Sequence, residues 1–435
     1  MKNIKKISKV ITTSLALSLV LSACSTDKAS TDEKSKDSGN KGKKVEVVYA
    51  FGKDDTGATL KIIDAFEKKY PNIDIKVREM PADTGKQHNS YVTAFNAKSD
   101  EIDVFELDVV WPAEFAQAGY VMPLDRFIQK DGIKLDEYNE GALSASKFKG
   151  KQWALPKFID AGMLFYRTDL VKDGEVPKTW DDLLKQAKAD KGKGGTKFGY
   201  LMQAKQYEGL VCNAVEFIAS YGGEIINDKG EVVVDSPEAV KGIKKLVEVA
   251  TSDVVPKNVT TFAEPESHTA FINGQSAFIR NWPYQFALAN DKQQSKIVGK
   301  VGVAPLPAGD KGPAAALGGW QAGINKNTDV PKEAWTFLKF MAGEEGQKID
   351  AINGGHAPTI NKLFDDAEVQ KANPYFKDAG FVNALKSAVS RPVAPNYTEI
   401  SDIMQIQVSK AIAKEITPEQ AAKNMQKEIS SKLEK

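Results

Sequence analysis

From Val45 onward the chain alternates between two kinds of segment, and this alternation limits its possible folds more than any other feature. Val45 to Phe51 is β-rich. Ala58 to Tyr70 sets Leu60, Ile63, Phe66 and Tyr70 near one helical face, and Pro71 stops the run. Ile73, Ile75 and Val77 then alternate as a strand does. A helical stretch from Ser90 to Lys98 leads into the β-rich Ile102 to Leu107. This order predicts a parallel-rich sheet with helices on both faces. Past Pro156 the alternation resumes. Met163 to Arg167, Phe198 to Met202, Ser276 to Arg280, Val301 to Ala304 and Gly319 to Ile324 read as strands. Trp180 to Ala189, Tyr207 to Tyr221 and Pro237 to Ala250 read as helices, the first capped by Thr179 and the last by Ser236 with Pro at its first position. After Pro331 the chain is mostly helical, through Glu399 to Lys414 and Pro418 to Leu433, and no internal repeat is visible.

A length of 435 residues exceeds what one core holds, so two domains are expected. Lys and Arg total 59 against 58 Asp and Glu, a formal charge of +1 that provides no attraction to nucleic acid. The start of the chain differs from the body. Lys2, Lys5, Lys6 and Lys9 precede an apolar run from Val10 to Leu21, too short to span a bilayer and shaped like a secretory signal. It ends Leu21-Ser22-Ala23-Cys24, which resembles the lipobox of bacterial lipoproteins. That resemblance implies cleavage after residue 23 and lipidation of Cys24, where two acyl chains anchor stably. A plain signal peptide is the alternative. Residues 24–44 then form a tether: from Ser25 to Lys44 there is no aromatic or large aliphatic residue to repay ordering entropy. Cys212, the other cysteine, lies in an apolar helical stretch and is expected as a buried thiol, which excludes a disulfide framework.

Several segments carry a family resemblance through their order and spacing. They are AFEKKYPNIDIKV, EIDVFELDVVWPAEFAQAGYVMPLD, KGKQWALPKFIDAGMLFYRTDLV, INGQSAFIRNWPY, VGVAPLP and GGWQAGINKNT, followed by the helical tail. The chain resembles the family 1 extracellular solute-binding proteins, the maltose- and trehalose/maltose-binding class. The resemblance implies an α/β, periplasmic-binding-protein-like fold: two discontinuous lobes joined by crossover segments, with ligand in the cleft between them. It places 45–157 and 283–325 in the first lobe and 158–282 and 326–435 in the second. Crossings fall near Pro156 to Asp160, Arg280 to Pro283, and Asn325. The implied function is a monomeric receptor, lipid-anchored on the outer face of the cell membrane, that delivers a neutral di- or oligosaccharide to the membrane subunits of an ABC importer.

A sugar presents apolar C–H faces that stack on aromatic rings, and edge hydroxyls that pair with carboxylates, amides and guanidinium groups. Asp108 and Trp111 follow a strand at its C-terminal end, where α/β sheets offer ligand contacts. Trp282, between a strand and Pro283, is placed for a cleft wall rather than a core. Trp320 follows Gly318 and Gly319, whose missing side chains allow close backbone approach. The resemblance further implies that Asp108 accepts sugar hydroxyls, that Phe158 and Asp160 face the cleft, that Gly319 touches sugar, and that Arg391 reaches hydroxyls from the second lobe. Related proteins often carry Tyr where this chain has Phe158. They often have Glu where it has Asp54 or Asp55, and Arg where it has Asp83-Thr84-Gly85-Lys86.

A secreted carbohydrate-active enzyme using Asp108 and Asp160 as acid and base is the rival reading. No G-x-S-x-G or H-E-x-x-H motif occurs, so no catalytic group, metal or cofactor is expected. His88, His268 and His356 are scattered and read as surface or packing residues. A further alternative keeps the fold but binds a polyamine, iron chelate or phosphorylated solute. The mixture of Trp, Asp and Arg favours a neutral polyhydroxylated one.

Overall fold

The computed structural model describes residues 44–172 and 174–433. Cys24, the apolar run before it and nearly all of the expected tether lie outside the described residues. No described helix is long and apolar enough to cross a membrane.

Ten strands build two sheets: β1 (Val45–Phe51), β2 (Ile73–Glu79), β3 (Val104–Asp108), β4 (Leu155–Ala161), β5 (Met163–Arg167), β6 (Phe198–Leu201), β7 (Ser276–Asn281), β8 (Val301–Ala304), β9 (Ala315–Ile324) and β10 (Ala357–Pro358). The first sheet runs β10-β4-β9-β3-β1-β2, and Ala388–Val389 adds to β9. The second runs β8-β5-β7-β6. Both are mixed rather than parallel-rich. β1 is parallel to β2 and β3, whereas the long strand β9 is antiparallel to β3 and β4.

Strand alternation decides the first lobe's two layers. Val47, Tyr49 and Val104 face one side, where they meet Phe66 of the helix Ala58–Lys69 and Phe337 of the helix Pro331–Met341. Ala50, Phe105 and Leu107 face the other, against Tyr91, Phe95 and Phe115. Phe66 and Phe105 are fully buried, each worth about 1.5–3 kcal/mol of transfer free energy. In the second lobe Phe165 and Ile279 face one side of the sheet and Phe278 the other, and all three belong to one buried cluster with Phe217, Leu246 and Met404 from three helices. Cys212 is buried there, and burial pushes its thiol up.

Local signals set the helix starts. Thr179 closes a capping box with Asp182, and Ser236 accepts the Ala239 N–H ahead of Pro237. The helix expected from Ser90 begins earlier, at Thr84, because Asp83 caps it by accepting the Lys86 N–H.

Sheet membership differs from the expected lobe boundaries. Leaving β7 at Asn281, the chain returns to the second sheet as β8, which pairs with β5, so 301–304 does not join the first lobe. After β9 it stays with the first sheet, since Trp335, Phe337 and Leu338 pack under Val47 and Tyr49 and β10 pairs with β4. The changes of sheet therefore fall at Gly162 and between Ala304 and Ala315, not near Arg280 to Pro283 or at Asn325; beyond Pro358 the strand Ala388–Val389 stays on the first sheet while the later helices pack into the second lobe's core.

Candidate functional site

The register of three strands assembles one wall of a cavity. Trp320 of β9 pairs with Asp108, the last residue of β3, and with Phe158 of β4. Asp160 lies two residues beyond Phe158, which turns both side chains to one face of the strand. Gly319 has φ of 122°, and a Cβ there would sit 2.4 Å from the Phe158 carbonyl, so only glycine permits this strand approach. The second wall comes from the second lobe, with Trp282 at the end of β7, Tyr284 just after it, and Tyr207, Glu208 and Glu264. The space between encloses about 1170 Å³ including its open mouth.

Trp282 is fixed on three sides. The Arg280 guanidinium carbon lies 3.9 Å from its ring centre. Its Nε1–H donates to Glu264 at 3.1 Å. A Cβ at Gly318 would come within 2.9 Å of the ring, so glycine makes room for it. Arg280 is fully buried and donates from Nε to both oxygens of Glu216, at 3.0 and 3.1 Å. The other Glu264 oxygen accepts the Tyr207 hydroxyl at 2.6 Å.

Arg391 crosses the cleft. It donates to both oxygens of Asp108 from the first lobe and, at 2.6 Å, to Glu208 from the second. Glu208 also accepts the Tyr397 and Ser401 hydroxyls. Lys205 and Asp83 form a second bridge between the lobes at 2.8 Å.

Most carboxylates of the cavity are matched by donors. Lys157 and the Tyr49 hydroxyl each reach Glu106 at 2.7 Å. Lys53 pairs with Asp55 at 2.7 Å. Asp54 accepts Thr56, Gly57 and Thr59 at the start of a helix. Burial raises its proton affinity, but the Thr56 hydroxyl and Thr59 N–H outweigh that and hold it well below the ordinary range. Asp160 is the exception. It is 5% exposed, and its Oδ1 is buried without a hydrogen-bond partner. Burial, helped by Asp350 and Asp108 against His356 and Arg280, pushes it up to about 7.

Asp54, Asp108, Phe158, Asp160, Trp282, Gly319, Trp320 and Arg391 thus all line one cavity. Trp111 does not. Pro112 starts a helix directly after it and turns the ring inward, edge-on to Trp320 at 5.6 Å and near His88 at 5.2 Å. Asp55 lines the cavity with Asp54, while Lys86 does not. Of the histidines, His88 packs beside Glu114 and Phe115, and His268 is buried near Tyr284. His356 departs from the surface-or-packing expectation: it is part of the cavity wall. Tyr207, Glu208, Glu264 and Lys157 also escaped the sequence reading. The Glu264-Pro265 helix start is a signal that could have marked Glu264.

Known proteins share this architecture. Alignment of the chain with maltose-bound MalE3 of T. maritima gives a TM-score of 0.84 at 37% identity, covering 89% of this chain and 99% of that one. The GacH receptor of Streptomyces glaucescens, solved unliganded and with acarbose, gives 0.80 at 23% identity over 90% of this chain and 98% of that one. A probable ABC transporter-binding protein of Deinococcus radiodurans is 36% identical over 379 residues, 84% of this chain and 88% of its own length. The family model for bacterial extracellular solute-binding proteins matches residues 52–348. The cavity between two lobes, its sheet-built wall and this match over most of the chain together establish that the protein belongs to the bacterial extracellular solute-binding protein family.

Proposed function

We propose that the cavity captures a neutral sugar, a di- or oligosaccharide, and that the protein hands it to the membrane subunits of an ABC importer without chemical turnover. One observation carries the reading: an unpartnered buried carboxylate, Asp160, beside a fixed aromatic platform, Trp282. The carboxylate fits a hydroxyl donor, and the ring fits a sugar face. Phe158 and Trp320 extend the apolar surface, with Asp108, Gly319 and Arg391 at the polar edges; Asp54, held by its helix start, contributes least. The other acids already have donors, which favours a neutral ligand over a polyamine, and the paired state of Lys157 and Arg391 disfavours an anion. The 37% identical MalE3 holds maltose, so maltose leads the candidates.

Lipidation at Cys24 with a tether to residue 44 would hold a monomeric body at the outer membrane face. The lobes would close on ligand about Gly162 and the later change of sheet between Ala304 and Ala315. Thermal unfolding against maltose, trehalose, sucrose, maltotriose and glucose, with spermidine as control, tests the sugar. Ligand at a hundred times its dissociation constant adds about 2.7 kcal/mol. An upward shift with one or two sugars is expected; a shift with spermidine alone would overturn the reading. Sustained release of product from an aryl glycoside would overturn the absence of turnover.

A further inference from the structure

His356 sits where the cavity wall lacks a donor. Its ring lies flat on Phe158, with centres 4.2 Å apart and planes inclined by 10°. Nδ1 is 2.9 Å from Asp350 Oδ1, and Asp350 is 1% exposed. Gly354 makes room for this, because a Cβ there would lie 2.7 Å from Nδ1. Tyr284 presents its ring edge-on at 6.2 Å. With one nitrogen committed to a carboxylate, the tautomer and ring direction are fixed, and Nε2 is the remaining polar atom. It has no hydrogen-bond partner among the described residues. Phe158, stacked on the ring, has no hydroxyl of its own, and Asp160, two residues along the strand, is an acceptor without a donor.

We propose that His356 reads the ligand: held by Asp350 and Phe158, it offers from Nε2 the hydrogen bond that Phe158 cannot, and it pairs with Asp160 as donor and acceptor for sugar hydroxyls. This rests on the cavity being a sugar site. The imidazolium makes the stronger donor, and the carboxylate the stronger acceptor. Burial opposes charge on His356, but Asp350 and then Asp160 outweigh it against Lys157, so its proton is held more tightly than usual. Asp54 also faces the imidazolium. Around Asp160, Asp350 and Asp108 oppose ionisation, while His356 and Arg280 favour it. Binding is therefore tightest where both members are charged. Affinity falls on the acid side as Asp160 takes up its proton, and on the alkaline side as His356 loses its own. The two titrate as a pair.

The test is calorimetric titration of the full chain with the five sugars from pH 5 to 9, for wild type, His356→Gln and His356→Phe. Wild type is expected to give a bell-shaped profile. His356→Gln keeps a neutral donor, so it should stay within a few-fold at neutral pH and lose the alkaline limb. His356→Phe should weaken binding about tenfold to a hundredfold. If His356→Phe does not fold, the lost alkaline limb in His356→Gln decides alone. Sugar binding by wild type that both variants match at every pH overturns this inference and leaves the sugar reading standing. No sugar binding by wild type overturns both.

Discussion

Arg280 and Arg391 are both buried arginines forked onto carboxylates, yet they hold different parts of the molecule. Arg280 has its partners inside one lobe: Glu216 on the helix Glu208–Ser220, Gln203, and the Trp282 ring above it. Arg391 joins Asp108 at the end of β3 to Glu208 across the cleft. Any separation of the lobes leaves the Arg280–Glu216 pair intact and breaks one side of the Arg391 bridge. The first pair is scaffold, keeping an aromatic platform at one angle. The second is a tie whose cost on rupture depends on water reaching the freed charges. What a buried ion pair contributes is set by what surrounds its partners after the break.

Substitutions that pull this contrast apart have graded effects. Arg280→Met leaves Glu216 charged and enclosed, and should cost about 3–5 kcal/mol in denaturant unfolding; a loss below about 1 kcal/mol would refute the scaffold role. Asp160→Asn should move stability the other way. Its folded proton affinity, up to about 7, exceeds that of an unfolded carboxyl near 3.9. From about pH 4 to 7 the folded state therefore holds the extra proton, and stability falls as pH rises. The variant should match wild type near pH 4 and exceed it at pH 8 by as much as about 4 kcal/mol, while losing ligand response. Equal stability at pH 8 would mean the carboxyl is not penalised. Arg391→Met should cost less than Arg280→Met, about 1–3 kcal/mol, because opening admits water to Asp108 and Glu208. It should also raise the radius of gyration in solution scattering; an unchanged radius would count against the tie. Thr179→Ala removes a helix cap remote from the cleft and should cost about 1 kcal/mol with ligand affinity unchanged.

The sequence disclosed what local signals announce. Trp282 precedes a proline, Trp320 follows two glycines, and Asp108 ends a buried strand, so each could be placed near a cleft. Trp111 looked equivalent, but the helix opened by Pro112 buries it behind Trp320. His356 enters the wall because Ala357 and Pro358 pair with Ile159 and Phe158. A strand of two residues has no periodicity to read. Glu208 and Tyr207 open a helix whose pattern speaks only of its core face, and their cleft partners, Arg391 for Glu208 and Glu264 for Tyr207, come from far along the chain. The return of 301–304 to the second sheet was hidden for the same reason. Its residues suit a strand in either lobe, and the choice is made by antiparallel pairing with 164–167.

The most direct test of the account is tryptophan emission of the folded full chain, titrated with maltose and the other sugars, beside the Trp282→Ala variant. The account predicts a saturable change with at least one sugar, insensitive to salt and lost in Trp282→Ala. A flat response to every sugar, or one unchanged without Trp282, would contradict it.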